Sequence, residues 1–111
     1  MTDSMADRRG AVRYALIVLA EVTELVSGTK TQARTSDMSR TGCYIDTLKP
    51  FSEGSSLLLC FANQGETVQI NARVVYVNPG LGMGVRFEDA FPEDQGAILD
   101  RWLERATPLH V

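Results

Sequence analysis

Turn signals interrupt this sequence at short intervals: Ser27-Gly28, Pro50 with Gly54, Asn63-Gln64-Gly65 and Asn78-Pro79-Gly80. Each contains a residue that accepts a positive φ or that cannot continue a helix or a strand ladder. The segments between them are short and rich in Val, Ile, Leu and Thr, types that suit a pleated, half-buried surface. Such punctuation fits a series of short strands. From Arg13 to Val26 runs an apolar stretch whose periodicity alone suits a buried strand or a helix. Its β-branched content and the turn that closes it favour a strand. Thr31, Ala33 and Thr35 then alternate with Lys30, Gln32 and Arg34, the period of a half-exposed strand, so residues 13–36 read as a hairpin. Asp37 to Gly42 reads as a loop, followed by strands at Cys43–Asp46, Leu57–Phe61, Thr67–Val77 and Met83–Phe87.

The end of the chain changes character. Pro92 suits a first helical position, Glu93 and Asp94 the first turn, and Arg101 and Arg105 the last, a charge order that complements the helix dipole. Ile98, Leu99, Trp102, Leu103 and Ala106 fall on one stripe at helical spacing. Gly96 within it costs about 1 kcal/mol relative to alanine, so the helix depends on tertiary contacts. Six short strands and one terminal helix predict a mainly β fold, a small antiparallel barrel or sandwich whose open end the helix covers. With 111 residues the chain suits one domain. Residues 1–7 read as a flexible leader, 8–106 as the domain (barrel about 13–88, helix about 92–106) and 107–111 as a tail.

A net charge of −3 argues against non-specific binding to duplex nucleic acid, which needs a broad basic surface. A small dianion is different, because a few well-placed arginines suffice. Cys43 and Cys60, in apolar contexts without a neighbouring histidine, read as small buried hydrophobes of a reducing compartment rather than zinc ligands. Arg8-Arg9 ahead of the apolar run Tyr14 to Ala20 is not read as a signal or anchor: the run ends at Glu21, and no cleavage pattern follows. The expected location is cytoplasmic, with no membrane, DNA or RNA partner. His110 lies one residue from the end of the chain and is assigned no role.

Two clusters carry chemistry. The first, Arg8-Arg9-Gly10-Ala11-Val12-Arg13, contains Arg9-x-x-x-Arg13; the second is Asp37-Met38-Ser39-Arg40-Thr41-Gly42. Arginine's planar fork suits phosphate oxygens or the O6 and N7 acceptors of guanine, and it can stack on a base. In an extended chain Arg9 and Arg13 are at most about 13 Å apart, so the arm would turn to wrap a ligand. Asp37 supplies an anionic acceptor for guanine N1–H and amine donors, and Ser39 can donate or accept. Gly42 suits a positive φ or a close ligand approach. Taken singly, the arginines could begin a solvated tail balanced by Asp3 and Asp7, and Asp37-x-Ser could be a plain turn.

Together, an Arg-x-x-x-Arg and a later Asp-x-Ser-x-x-Gly resemble the paired signature of PilZ domains. Ala72 to Val77 and Gly82-Met83-Gly84-Val85-Arg86-Phe87 look like that family's closing strands, and the resemblance covers roughly residues 8–105. It implies a six-stranded PilZ-type β-barrel with a C-terminal helix. It also implies a receptor, not an enzyme, whose ligand is the second messenger cyclic di-GMP and which needs no cofactor or metal. The implied ligand residues are Arg8, Arg9, Arg13, Asp37, Ser39 and Gly42, with Arg40, Tyr76 and Gly84 as secondary candidates. In this family an arginine at the position of Arg8 goes with a stacked, intercalated pair of ligand molecules. Tyr76 could add a stacking face, although a half-buried strand aromatic is the simpler reading. The implied response is closure of the N-terminal arm over the Asp37 to Gly42 segment, which alters the surface offered to a downstream protein, for instance of the motility or exopolysaccharide machinery. The alternative is a PilZ-like interaction module that binds no nucleotide; an oligonucleotide-binding barrel would need a basic, aromatic-studded face that this sequence does not present.

Overall fold

The structure, a computed structural model, describes residues 12–109. Its elements are β1 (Tyr14–Ala15), β2 (Leu19–Glu24), β3 (Lys30–Met38), β4 (Gly42–Asp46), β5 (Ser56–Asn63), β6 (Glu66–Asn78), β7 (Gly82–Phe87), α1 (Glu93–Glu104) and β8 (Thr107–Pro108). Six of the strands follow one another as β2-β5-β6-β7-β4-β3, and a β2–β3 pairing closes the ring. All pairings are antiparallel, so the expected six-stranded barrel with a C-terminal helix is what forms. The two-residue strands β1 and β8 are appended to β3 outside the ring.

Three details differ from the sequence reading. The apolar stretch 13–26 is not one strand: it breaks at residues 16–18 between β1 and β2. Thr35 accounts for the break. Its hydroxyl is fully buried, donates to the Leu16 carbonyl at 2.7 Å and accepts from the Val18 amide at 3.0 Å. One side chain thus satisfies the backbone groups the ladder drops, which buried polar groups require. Second, Asp37 lies within β3 rather than in a loop. Third, α1 stops at Glu104 with Pro92 as its N-cap, and the expected tail instead enters β8, which pairs Tyr14 with Pro108 and Ala15 with Thr107.

The inward alternation of the strands builds one core of Val18, Ala20, Val22, Met38, Cys43, Ile45, Leu57, Leu59, Phe61, Val68, Ile70, Ala72, Val74, Met83, Val85 and Phe87. A fully buried Leu or Phe contributes about 1.5–3 kcal/mol relative to exposure, so this interior dominates stability. Strands β4 and β5 stand three steps apart either way round the ring. Their connection, residues 47–55, must therefore cross one end of the barrel, where Phe51 packs against the core. The opposite end is covered by α1, which buries Leu99, Trp102 and Leu103. Trp102 donates its indole N–H to Glu66 at 3.2 Å, and Arg101 pairs with the same carboxylate.

Candidate functional site

Two irregularities decide which side chains reach the outer surface. Along β3, Thr31, Ala33 and Thr35 face inward, so strict alternation would bury Asp37. The register shifts between Thr35 and Asp37, leaving Ser36 as an extra residue. That bulge turns Asp37 outward and Met38 into the core, where it is fully buried. In β6, Val68, Ile70, Ala72 and Val74 face inward, and a second shift between Val74 and Tyr76 turns Tyr76 outward. The two corrections bring their residues into one line: Asp37 pairs with Tyr44, Tyr44 with Gly84, and Gly84 with Tyr76. The row crosses four neighbouring strands, about 14 Å at ordinary strand spacing.

The aromatic half of the row rests on glycine. A Cβ on Gly84 would lie 2.1 Å from Tyr76 Cε1, and one on Gly82 would lie 2.7 Å from Tyr44 Cε2. At Gly84 any other residue would push the Tyr76 ring off the sheet, and at Gly82 it would also meet the Ile45 backbone carbonyl oxygen, at 2.3 Å. The Tyr44 and Tyr76 rings are 6.1 Å apart, inclined by 35°, and Asn78 donates to the Tyr44 hydroxyl at 3.0 Å. Tyr76 remains 46% exposed. The position of Tyr44 follows from simple alternation between buried Cys43 and Ile45, the signal that would have singled it out from sequence.

At the other end of the row Arg13 pairs with Asp37. The Arg13 carbonyl also accepts the Leu109 amide at 2.8 Å, so the residue is held by both the barrel and the C-terminal segment. Ser39 is buried, and its hydroxyl is engaged within the β3–β4 turn: it accepts from the Thr41 and Gly42 amides at 3.1 and 3.2 Å and lies 3.3 Å from the Gly42 carbonyl. It shapes the turn in place of presenting a free hydroxyl. Gly42 does not have a positive φ. Its constraint is the neighbouring strand, since a Cβ there would lie 2.2 Å from the Val85 carbonyl oxygen. Arg40 leaves the row and pairs with Asp100 of α1. Arg8 and Arg9 lie outside the described residues. Arg13, Asp37, Gly84 and Tyr76 are thus brought together, with Gly42 and Ser39 fixing the adjacent turn.

Cys43 sits beneath this face, and burial pushes its thiol well above the ordinary range, with the Asp37 carboxylate adding to the effect. Cys60 is only partly buried, so the expectation of two buried cysteines holds for Cys43 alone. Clefts of about 480 and 520 Å³ flank α1, and neither includes Arg13, Asp37, Tyr44 or Tyr76. Among the described residues, no group of three or more His, Cys, Asp or Glu could hold a metal ion. No described helix is long and apolar enough to cross a membrane.

Comparison with known proteins gives a consistent result. A family model described as "PilZ domain" matches residues 7–105. No curated protein matches the sequence. Among solved structures, the PilZ domain of CeSA from a cellulose-synthesizing bacterium is similar at 19% identity and a TM-score of 0.64, over 83% of this chain and 94% of that one. The PilZ domain of YcgR from Escherichia coli, solved with c-di-GMP, gives 18% and 0.65, over 83% of this chain and 86% of that one. The Bacillus subtilis inhibitor of motility MotI/DgrA gives 18% and 0.66, over 85% of this chain and only 48% of that longer one.

Proposed function

The chain belongs to the PilZ domain family, and from that membership we propose that it is a bacterial, cytoplasmic receptor for cyclic di-GMP. The observation that carries the reading is the row Asp37–Tyr44–Gly84–Tyr76 with Arg13 at its head. Cyclic di-GMP carries two phosphodiester anions and two guanines. Arg13, oriented by Asp37, offers guanidinium N–H groups to a phosphate in charge-assisted hydrogen bonds. The Asp37 carboxylate, one of whose oxygens pairs with Arg13, retains lone pairs for guanine N1–H and amine donors. Tyr76, with Tyr44 beside it, supplies a flat face for a base, a contact worth about 1–3 kcal/mol. Arg8 and Arg9 complete the phosphate contacts as the N-terminal arm closes over the β3–β4 turn, and Arg8 favours a stacked pair of ligands. The altered surface then regulates a downstream protein, for which the motility and exopolysaccharide machineries are the family's candidates.

Calorimetric titration with cyclic di-GMP tests this directly. Saturable binding by the wild type is expected. An Arg9→Ala/Arg13→Ala variant should show none, and Tyr76→Ala should weaken binding roughly ten- to a hundredfold through loss of stacking. Two nucleotides per chain would support the stacked pair, and one would refute it. No heat from a folded wild-type protein would overturn the receptor reading in favour of an interaction module that binds no nucleotide.

A further inference from the structure

The barrel end crossed by residues 47–55 lies away from both α1 and the β3–β4 turn, and it is apolar. Four large hydrophobic residues stand out from it: Val26 is 91% exposed, Leu48 82%, Leu81 69% and Leu25 49%. They come from three separate connections, β2–β3, β4–β5 and β6–β7, which the topology brings to the same end. Backbone hydrogen bonds tie these connections together: Leu25 donates to the Ser56 carbonyl at 2.9 Å, and Thr47 donates to the Leu81 carbonyl at 3.1 Å. The tips are also held internally. Glu24 accepts from the Ser27 hydroxyl at 2.6 Å and from the Ser27 and Val26 amides at 2.9 and 3.0 Å. The residues are therefore presented by fixed turns rather than carried on loose loops.

Size and charge indicate what covers this end. At ordinary residue areas the four residues together leave roughly 500 Å² exposed, in sum comparable with the largest patch on a typical monomer. That is close to the apolar share of one partner's side of a standard interface, roughly 450 Å². The rim carries both signs of charge. Lys30 and Lys49 are the chain's two lysines, and both sit at this end. The β2–β3 connection is flanked by Glu24 and Lys30, and the β4–β5 connection carries Lys49 and Glu53. With Asp46 at the end of β4, acids match or outnumber the lysines here, so the rim gives no net attraction to an anionic bilayer. One acid and one base on each of two connections is the pattern that can complement itself under a twofold rotation, in which each surface meets its own copy.

We propose that this end is the interface of a homodimer in which two barrels meet end to end. Leu25, Val26, Leu48 and Leu81 form its centre, and the Lys49–Glu53 connection of each copy faces its counterpart. The dimer directs both α1 helices away from the contact. The inference does not depend on what the Asp37–Tyr76 row binds.

Sedimentation velocity on the full chain, from about 1 to a few hundred µM, tests it. Reversible dimerisation is expected in the wild type. Leu48→Asp/Leu81→Asp, at two exposed positions, should raise the dissociation constant at least tenfold while the circular dichroism spectrum is retained. A wild type that stays monomeric throughout that range overturns the proposal. So does a dimer that persists unchanged in the variant, which would place the contact elsewhere. Co-sedimentation of a monomeric wild type with phosphatidylglycerol vesicles would also overturn it and assign the end to a membrane surface.

Discussion

At the level of single residues, fold and site can be separated by substitution. Gly42 is fixed by the fold, because a methyl group there meets the Val85 carbonyl, a backbone atom that cannot rotate aside. Overpacking of this kind costs about 1–3 kcal/mol, and a clash with backbone belongs at the upper end. Gly42→Ala should therefore lower the urea midpoint substantially in a domain whose total stability is on the order of 5–15 kcal/mol. Asp37→Ala should leave the midpoint nearly unchanged, since exposed pairs like Arg13–Asp37 contribute at most about 1 kcal/mol. Equal loss in both variants would show that the ion pair is structural. The importance of Gly42 was legible in the Asp-x-Ser-x-x-Gly spacing, but its reason was not. Sequence suggested backbone freedom or ligand approach, whereas the cause is a strand more than forty positions away in the chain that becomes its neighbour only when β4 pairs with β7.

Among the elements, α1 offers a direct test of how local preference and tertiary context divide the work. Gly96 closes the first turn of α1, and a Cβ there would meet only Phe91 Cβ, at an ordinary contact distance of 3.6 Å. Gly96→Ala should stabilise the protein by about 0.5–1 kcal/mol in thermal or urea unfolding, because nothing offsets the gain in helix propensity. Destabilisation would mean that the helix cannot accept the added methyl against Phe91. Helix and barrel strands were legible because turn residues bound them and their apolar periods are clean. The break after β1 was not. Leu16-Ile17-Val18 is as apolar as its flanks, and the interruption is made by the Thr35 hydroxyl, which arrives only when β3 folds back. The two bulges were equally hidden, since neither Ser36 nor Val75 differs in type from its neighbours.

For the whole molecule, closure is the governing event. The ring depends on β2 pairing both with β3, its neighbour in sequence, and with the more distant β5. Such non-local pairings are slow to find, so refolding is expected on the millisecond to second scale. Trp102, the chain's only tryptophan, is buried between α1 and the barrel and reports on helix docking. Its stopped-flow fluorescence should follow the same single phase as the far-ultraviolet signal of the strands, because the apolar stripe of α1 has no surface to bury until the barrel exists. An earlier tryptophan phase would show the helix docking on an open sheet.

The β3 and β6 bulges also affect how relatives of this chain should be compared. Each acts as a one-residue insertion that reverses the phase of everything after it within its strand. A homologue lacking the residue equivalent to Ser36 or Val75 would align with a single gap in the middle of a strand, normally treated as an alignment error and closed up. Here such a gap has physical meaning: the carboxylate or the ring beyond it would point into the core. The length of those two strands, counted to the residue, is therefore a better criterion for sorting family members by the character of this outer face than overall identity.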